Sequence, residues 1–257
     1  MASNKSWEKI FKDQNILKHD FGKGPFYIDA GTIKKSVQEF TETAEKEVRI
    51  LCKMDTRESV PTIMSKNNLF LLPVKNGEYV LIKGDGYLDI VDIQGDAEVY
   101  DSKLPFVLES SKIGNSEMQH LDFAYASSLI RTFIDDPSLV LTIRGRKYTP
   151  EFNFHVDGQE IHVESVQTEV DAGYEGTDKL VLVEAKNSKT KNTIIRQLYY
   201  PFRQWSENTS KEVTTLFFEK RGTEYLIWEY GFSDKFDYNS IFLKRAKKYK
   251  IKNELDD

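Results

Sequence analysis

Between residues 138 and 187 the spacing of apolar side chains drops from three or four to two, and this limits the fold more than any other feature of the chain. The runs LVLTIRGRKY, EFNFHV, IHVESVQTEVDAGYE and KLVLVEAKN alternate like half-buried strands, with turn signals at Asp157-Gly158 and around Thr177-Asp178. Ahead of them, Asn115 or Ser116 caps a helix in which Met118, Leu121, Tyr125, Leu129, Thr132 and Phe133 recur at helical intervals until Asp135-Asp136-Pro137 ends it. Behind them, NTIIRQLYYPFRQWSEN is helical by period despite Pro201, and TTLFFEK and EYLIWEYGF form a strand pair about Arg221-Gly222. The pattern predicts an α/β (α+β) unit over residues 115–257.

The first 95 residues read as a separate small α+β module. SWEKIFKDQNIL is helical, PFYI is a strand, Asp29 caps a helix through GTIKKSVQEF, and VRILCKM reads as a strand. TRESVP feeds a short helix in TIMSKNN, and Asn76-Gly77 between LFLLPVK and EYVLIK is a strong hairpin signal because both loop residues need positive φ. Helices followed by a two-stranded ribbon suggest a winged-helix-like arrangement. Residues 96–114 are polar and turn-rich, which reads as a linker.

Composition removes several classes. With 39% hydrophobic and 30% charged residues the chain is neither disordered nor collagenous. It has no apolar run of the ~18 residues that cross a bilayer, and MASNKSWEKIFKDQN has no signal-peptide core. Cys52 is the single cysteine, and His19, His120, His155 and His162 are scattered, so neither a disulfide nor a zinc spacing is present; a reducing, cytoplasmic setting is expected. A net charge of −5 argues against nucleic-acid binding by bulk positive potential. Basic residues are local: Lys189, Lys191, Arg196 and Arg203, and the segment KRAKKYK at 244–250, read as a tail.

The chemistry concentrates in TEVDAGYEGTDKLVLVEAKNS. Glu184 and Lys186 leave one face of a strand while Val183 and Ala185 leave the other. A turn centred on Thr177-Asp178 makes Asp171 the cross-strand neighbour of Glu184, with Cβ atoms about 5 Å apart. Two such carboxylates repel unless a cation joins them, and hard oxygen ligands suit Mg²⁺, with Lys186 placed to orient the nucleophile or offset charge on a pentavalent phosphorus. Glu184-Ala185-Lys186 is the only Glu-x-Lys in the chain, and the rival Asp101-Ser102-Lys103 has no apolar strand entering it. The competing explanation is a surface hairpin with a cross-strand ion pair.

These residues resemble the PD-(D/E)xK nuclease superfamily, specifically a type II restriction endonuclease, over about residues 115–230. The resemblance implies a nuclease core with a mixed central sheet flanked by helices. Asp171 matches the first metal-binding acid, Glu184 the second, Lys186 the lysine, Glu117 an acid on the preceding helix and Gln197 a polar residue on the following one. Val170 stands where the family name has proline, and Glu169, two residues from Asp171, rivals it as first ligand. The resemblance further implies a Mg²⁺ cofactor, double-stranded DNA as substrate, a homodimer, a cognate DNA methyltransferase as genetic partner, and an amino-terminal module that recognises DNA. An inactive DNA-binding protein of the same fold, or a repair or junction-resolving nuclease, is the alternative.

DNA contacts are expected from Arg144, Arg146 and Lys147 on a turn, from Arg57 and Lys66 flanking the short amino-terminal helix, and from Arg196 and Gln197. Ordinary surface charge competes at each cation. Tyr199, Tyr200, Phe202 and Trp205 read as core, Cys52 as a buried thiol, and His155 and His162 as structural.

Overall fold

The computed structural model describes residues 4–252, apart from the side chains of Ser111 and Lys112. The amino-terminal half comprises α1 (Asn4–Asp13), β1 (Phe26–Asp29), α2 (Ala30–Ser36), α3 (Thr43–Lys46), α4 (Val48–Leu51), α5 (Thr62–Ser65), β2 (Leu69–Lys75), β3 (Glu78–Lys83) and β4 (Tyr87–Asp89). Then follow β5 (Glu98–Tyr100), α6 (Glu117–Ala126), α7 (Leu129–Ile134), β6 (Val140–Tyr148), β7 (Phe152–Val156), β8 (Gln159–Val163), β9 (Gln167–Glu175) and β10 (Lys179–Lys186). The chain ends with β11 (Asn192–Ile194), α8 (Arg196–Ser206), β12 (Glu212–Arg221), β13 (Glu224–Phe232) and β14 (Ile241–Ile251). This is a mixed α/β fold around a seven-stranded sheet of order β5-β14-β13-β12-β10-β9-β6. Among the described residues no helix is long and apolar enough to cross a membrane.

In the amino-terminal half, α1 buries Trp7, Ile10 and Phe11, and the Trp7 indole donates to the Leu51 carbonyl at 3.0 Å. Asp29 caps α2 by accepting from the Thr32 amide at 2.9 Å. The strand expected at VRILCKM is not formed: Val48–Leu51 is the helix α4 and Cys52–Met54 leave it through a turn, with Leu51 and Met54 buried and Val48 packed beside them. The Asn76-Gly77 hairpin forms, but of the two only Gly77 has positive φ, at 78°, so the turn is not the doubly left-handed kind expected. The sheet β1-β3-β2 is covered on both faces. Ile28, Leu69, Leu71 and Leu81 meet the helices. Phe70, Leu72, Val80 and Ile82 join a core with Phe154 and Ile161 of the β7-β8 hairpin and with Tyr199 and Tyr200 of α8. The module read as separate therefore shares its core with the second half.

Three further readings change. The stretch read as a linker contains β5, which pairs in parallel with β14 and puts Tyr100 into the main core. The single helix expected over 116–134 is two, because Ser128 takes left-handed backbone with φ 66°, and Leu121 and Ala124 of α6 and Leu129, Ile130 and Phe133 of α7 all meet the sheet; Asp135, φ 60°, ends α7. The basic segment 244–250 is no tail but β14, between β5 and β13, and Arg245 and Lys247 pair with Glu229 and Glu98.

Strand β10 carries the expected alternation: Val181, Val183 and Ala185 pack under α6 and α7, while Leu180 and Leu182 pack on the opposite side near Trp205. From β10 the chain runs through β11 and α8 into β12, parallel to β10. The sheet is therefore mixed, and α8 lies across the face from which Glu184 projects.

Candidate active site

The antiparallel ladder of β9 and β10 runs from Leu180 opposite Glu175 to Val183 opposite Ala172. The recorded pairing ends there, and Asp171 and Glu184 are the next residue on each strand. A second device aims Asp171. From Gly173 to Val170 on β9 is three steps, whereas the paired residues Ile143 and Gly145 on β6 are two apart, so a bulge falls at residues 171–172. An extra residue at a bulge tilts its side chain away from the regular alternation. Asp171 Oδ2 accepts from the Ala185 amide at 2.7 Å, tying it to the strand of Glu184 and Lys186.

Glu184 is 9% exposed, and its Oε1 accepts from the Lys186 ammonium and, at 2.8 Å, from Gln197 Nε2. Thr193 in turn donates to Gln197 Oε1 at 2.6 Å. Burial pushes the Glu184 carboxyl up to about 7, opposed by Lys186 and reinforced by the charges of Asp171 and Asp55. The Asp171 carboxyl is also raised, first by burial and then by Glu117 and Glu169, against the Ala185 amide and Lys186. For Lys186 burial acts to lower the pKa, but Glu184, Glu117 and Asp171 outweigh it, so the ammonium stays charged at neutral pH.

Two crowded carboxylates that both resist ionisation form a site that a cation would relieve. Asp171 Oδ1 and Glu184 Oε2 accept no hydrogen bond from the described residues, leaving two hard oxygens for Mg²⁺, which takes one or two carboxylates and completes its shell with water and substrate phosphate. Among the described residues no three His, Cys, Asp or Glu side chains group as a metal site by themselves. Two carboxylate oxygens are the kind of donor set that a hydrated, hard cation takes.

The site opens into a cleft of about 1100 Å³ lined by both halves of the chain. Glu117, Arg146, Glu169 and Arg196 line it together with the central three, as does Gln197. Glu117 starts α6, where Ser116 caps the helix by accepting from Gln119 N at 3.1 Å. Glu169 is tied elsewhere, its Oε2 accepting from Arg146 at 3.3 Å, with more than half of its side chain exposed. Arg49, Lys53, Asp55 and Lys75 of the amino-terminal half line it as well. No local pattern singled these four out, because they come from short elements whose position is set by the shared core. Thr193 was missed as well, although its place four residues before Gln197 at a helix start was a usable signal.

The other expected DNA contacts are placed as follows. Arg57, about a third exposed, donates to Asp85 at 2.6 Å, to Asp89 at 2.5 Å and to the Tyr87 carbonyl at 3.1 Å. Arg144, Arg146 and Lys147 lie within β6 and not on a turn; Gly145, φ 76°, sits at the bulge, and Arg144 pairs with Asp122. Lys147 and Lys66 are exposed, and Arg196 lies 3.7 Å from Asp55. Of the basic run at 189–203, Lys189 pairs with Asp92 and Arg203 is core, 1% exposed. Tyr199 and Tyr200 are fully buried as expected, and burial pushes the half-buried Cys52 thiol up to about 12, leaving it protonated near neutrality.

No curated protein and no solved structure matches the chain. Residues 4–81 match the family model described as Domain of unknown function (DUF6996), and the junction with the next match falls inside β3. Residues 82–250, which carry Asp171, Glu184, Lys186 and the whole of α8, match the model described as Domain of unknown function (DUF6997), so the chain belongs to that family.

Proposed function

We propose that the chain is a Mg²⁺-dependent endonuclease of the restriction type, with a PD-(D/E)xK nuclease core, that hydrolyses phosphodiester bonds of double-stranded DNA at a short specific sequence. The observation that carries the reading is the meeting of Asp171, Glu184 and Lys186 at the floor of a cleft. The mixed sheet with helices on both faces supports it too.

Asp171 Oδ1 and Glu184 Oε2 would hold the ion. When bound, Mg²⁺ supplies a lowered water pKa and charge neutralisation at the phosphodiester. Lys186, charged at neutral pH and held by Glu184, offsets the negative charge that develops on phosphorus. Gln197 keeps Glu184 Oε1 occupied, which leaves the other oxygen for the ion. Arg146, Arg196, Arg49, Lys53 and Lys75, which all line the cleft, supply phosphate contacts. The chain works in the cytoplasm as a homodimer, because two cuts in a two-fold site need two copies, with a DNA methyltransferase protecting the host sites.

Digestion of a plasmid of known sequence with Mg²⁺ tests the reading. Discrete fragments support restriction and random degradation a non-specific nuclease. Binding without cleavage favours an inactive DNA-binding protein.

A further inference from the structure

The amide of Gln197 can present either end to Glu184, and only one end suits an ionised carboxylate. Its nitrogen donates to Glu184 Oε1 at 2.8 Å, while its oxygen accepts from the Thr193 hydroxyl at 2.6 Å. Thr193 is 1% exposed and is the middle residue of β11, where it pairs with Leu88 of β4. This strand is pinned to the amino-terminal half. Asn192 Oδ1 accepts from the Arg57 amide at 2.7 Å, Asn192 Nδ2 donates to the Glu58 carboxylate at 3.1 Å, and Ile194 N donates to the Asp55 carbonyl at 2.9 Å. Ile195 N donates to the Gly86 carbonyl at 2.9 Å.

We propose that Thr193 is a positioning residue of the site: its hydroxyl holds Gln197 with the nitrogen toward Glu184, and it does so from a strand whose place is set by the amino-terminal half. The proposal rests on the reading of Glu184 as a cation ligand. Without the Thr193 donor, Gln197 Oε1 loses its partner and the amide is free to rotate. Its oxygen end would then repel Glu184. Groups that orient a ligating carboxylate matter nearly as much as the ligand. The connection also explains why residues 55–58 and 86–88, far from the Glu-x-Lys in sequence, bear on the chemistry.

The test uses the full chain as wild type, T193V and T193S. T193V keeps the branched shape and removes the donor, and T193S keeps the donor. Mg²⁺ binding by calorimetry and plasmid cleavage are expected to fall roughly 10-fold or more in T193V and to stay within about 3-fold of wild type in T193S. Crystals of metal-free T193V should show Gln197 Nε2 moved off Glu184. Should T193V fail to fold, T193A, which also lacks a donor, takes its place with the same expectation. Wild-type Mg²⁺ affinity in T193V, or Gln197 still seated on Glu184 in its crystal structure, would overturn the inference. A wild-type chain that neither binds Mg²⁺ nor cuts DNA would instead overturn the functional reading, and a displaced Gln197 in T193V would still support the positioning role.

Discussion

Replacing Glu184 by glutamine should make the metal-free protein progressively more stable relative to wild type as pH rises through neutrality, while destroying its cation site. The Glu184 carboxyl, ordinarily near 4.5, is raised to about 7 in the fold because burial disfavours the charge, with Asp171 and Asp55 adding to the effect. A raised carboxyl binds its proton more tightly folded than unfolded, so its contribution to stability is complete below about pH 4.5 and is lost as pH rises through 7. At about 1.4 kcal/mol per pH unit, the gap between 4.5 and 7 amounts to about 3 kcal/mol by pH 8. E184Q has no proton to lose. The stability of E184Q relative to wild type should therefore grow by about 3 kcal/mol between pH 4 and pH 8, which for a chain of this size corresponds to roughly 6–12 °C in melting temperature. Urea unfolding of both proteins in EDTA at unit pH steps measures it. Adding Mg²⁺ should raise the melting temperature of wild type and not of E184Q. A difference that is flat with pH, or that shifts toward wild type as pH rises, would show that Glu184 ionises without strain and would refute the argument.

Other expectations follow from the same geometry. Asp171→Ala, Glu184→Ala and Lys186→Ala should each lower plasmid cleavage by at least ~100-fold while DNA retention in gel-shift assays stays near wild type. Glu169→Ala should cost less cleavage than Asp171→Ala, because Glu169 is tied to Arg146 and largely exposed whereas Asp171 is bonded to the Ala185 amide; the reverse order would move the first ligand by two residues. Arg57→Ala should leave the preference for cognate over scrambled duplex unchanged and lower stability by about 1 kcal/mol, since the guanidinium serves Asp85, Asp89 and the Tyr87 carbonyl. A selective loss of cognate affinity would return Arg57 to the role of base reader.

Local chemistry made several features readable from the sequence. Asp29 caps α2 because a carboxylate before a helical run satisfies an amide that otherwise lacks a partner. Alternation placed Val183 and Ala185 in one core and sent Glu184 and Lys186 the other way. The turn between β9 and β10 set Val183 across from Ala172, one residue short of Glu184 and Asp171, since an antiparallel register follows from the position of its turn. What lay beyond a single hairpin was decided by packing between distant segments. VRIL is helical because its apolar side chains are covered by α1 and by the β1-β3-β2 sheet. The basic stretch of β14 became an inner strand because β13 and β5 offered it backbone partners and their glutamates offered it charges. Gln197 meets Glu184 from a helix that follows β11, a strand paired with β4 and bonded to residues 55–58, and residues of both halves line the cleft because the two halves bury one core together. A period or a cap records what each residue does with neighbours a few positions away, whereas burial energy is shared among all segments that can cover the same face, so only the assembled structure selects which of them does.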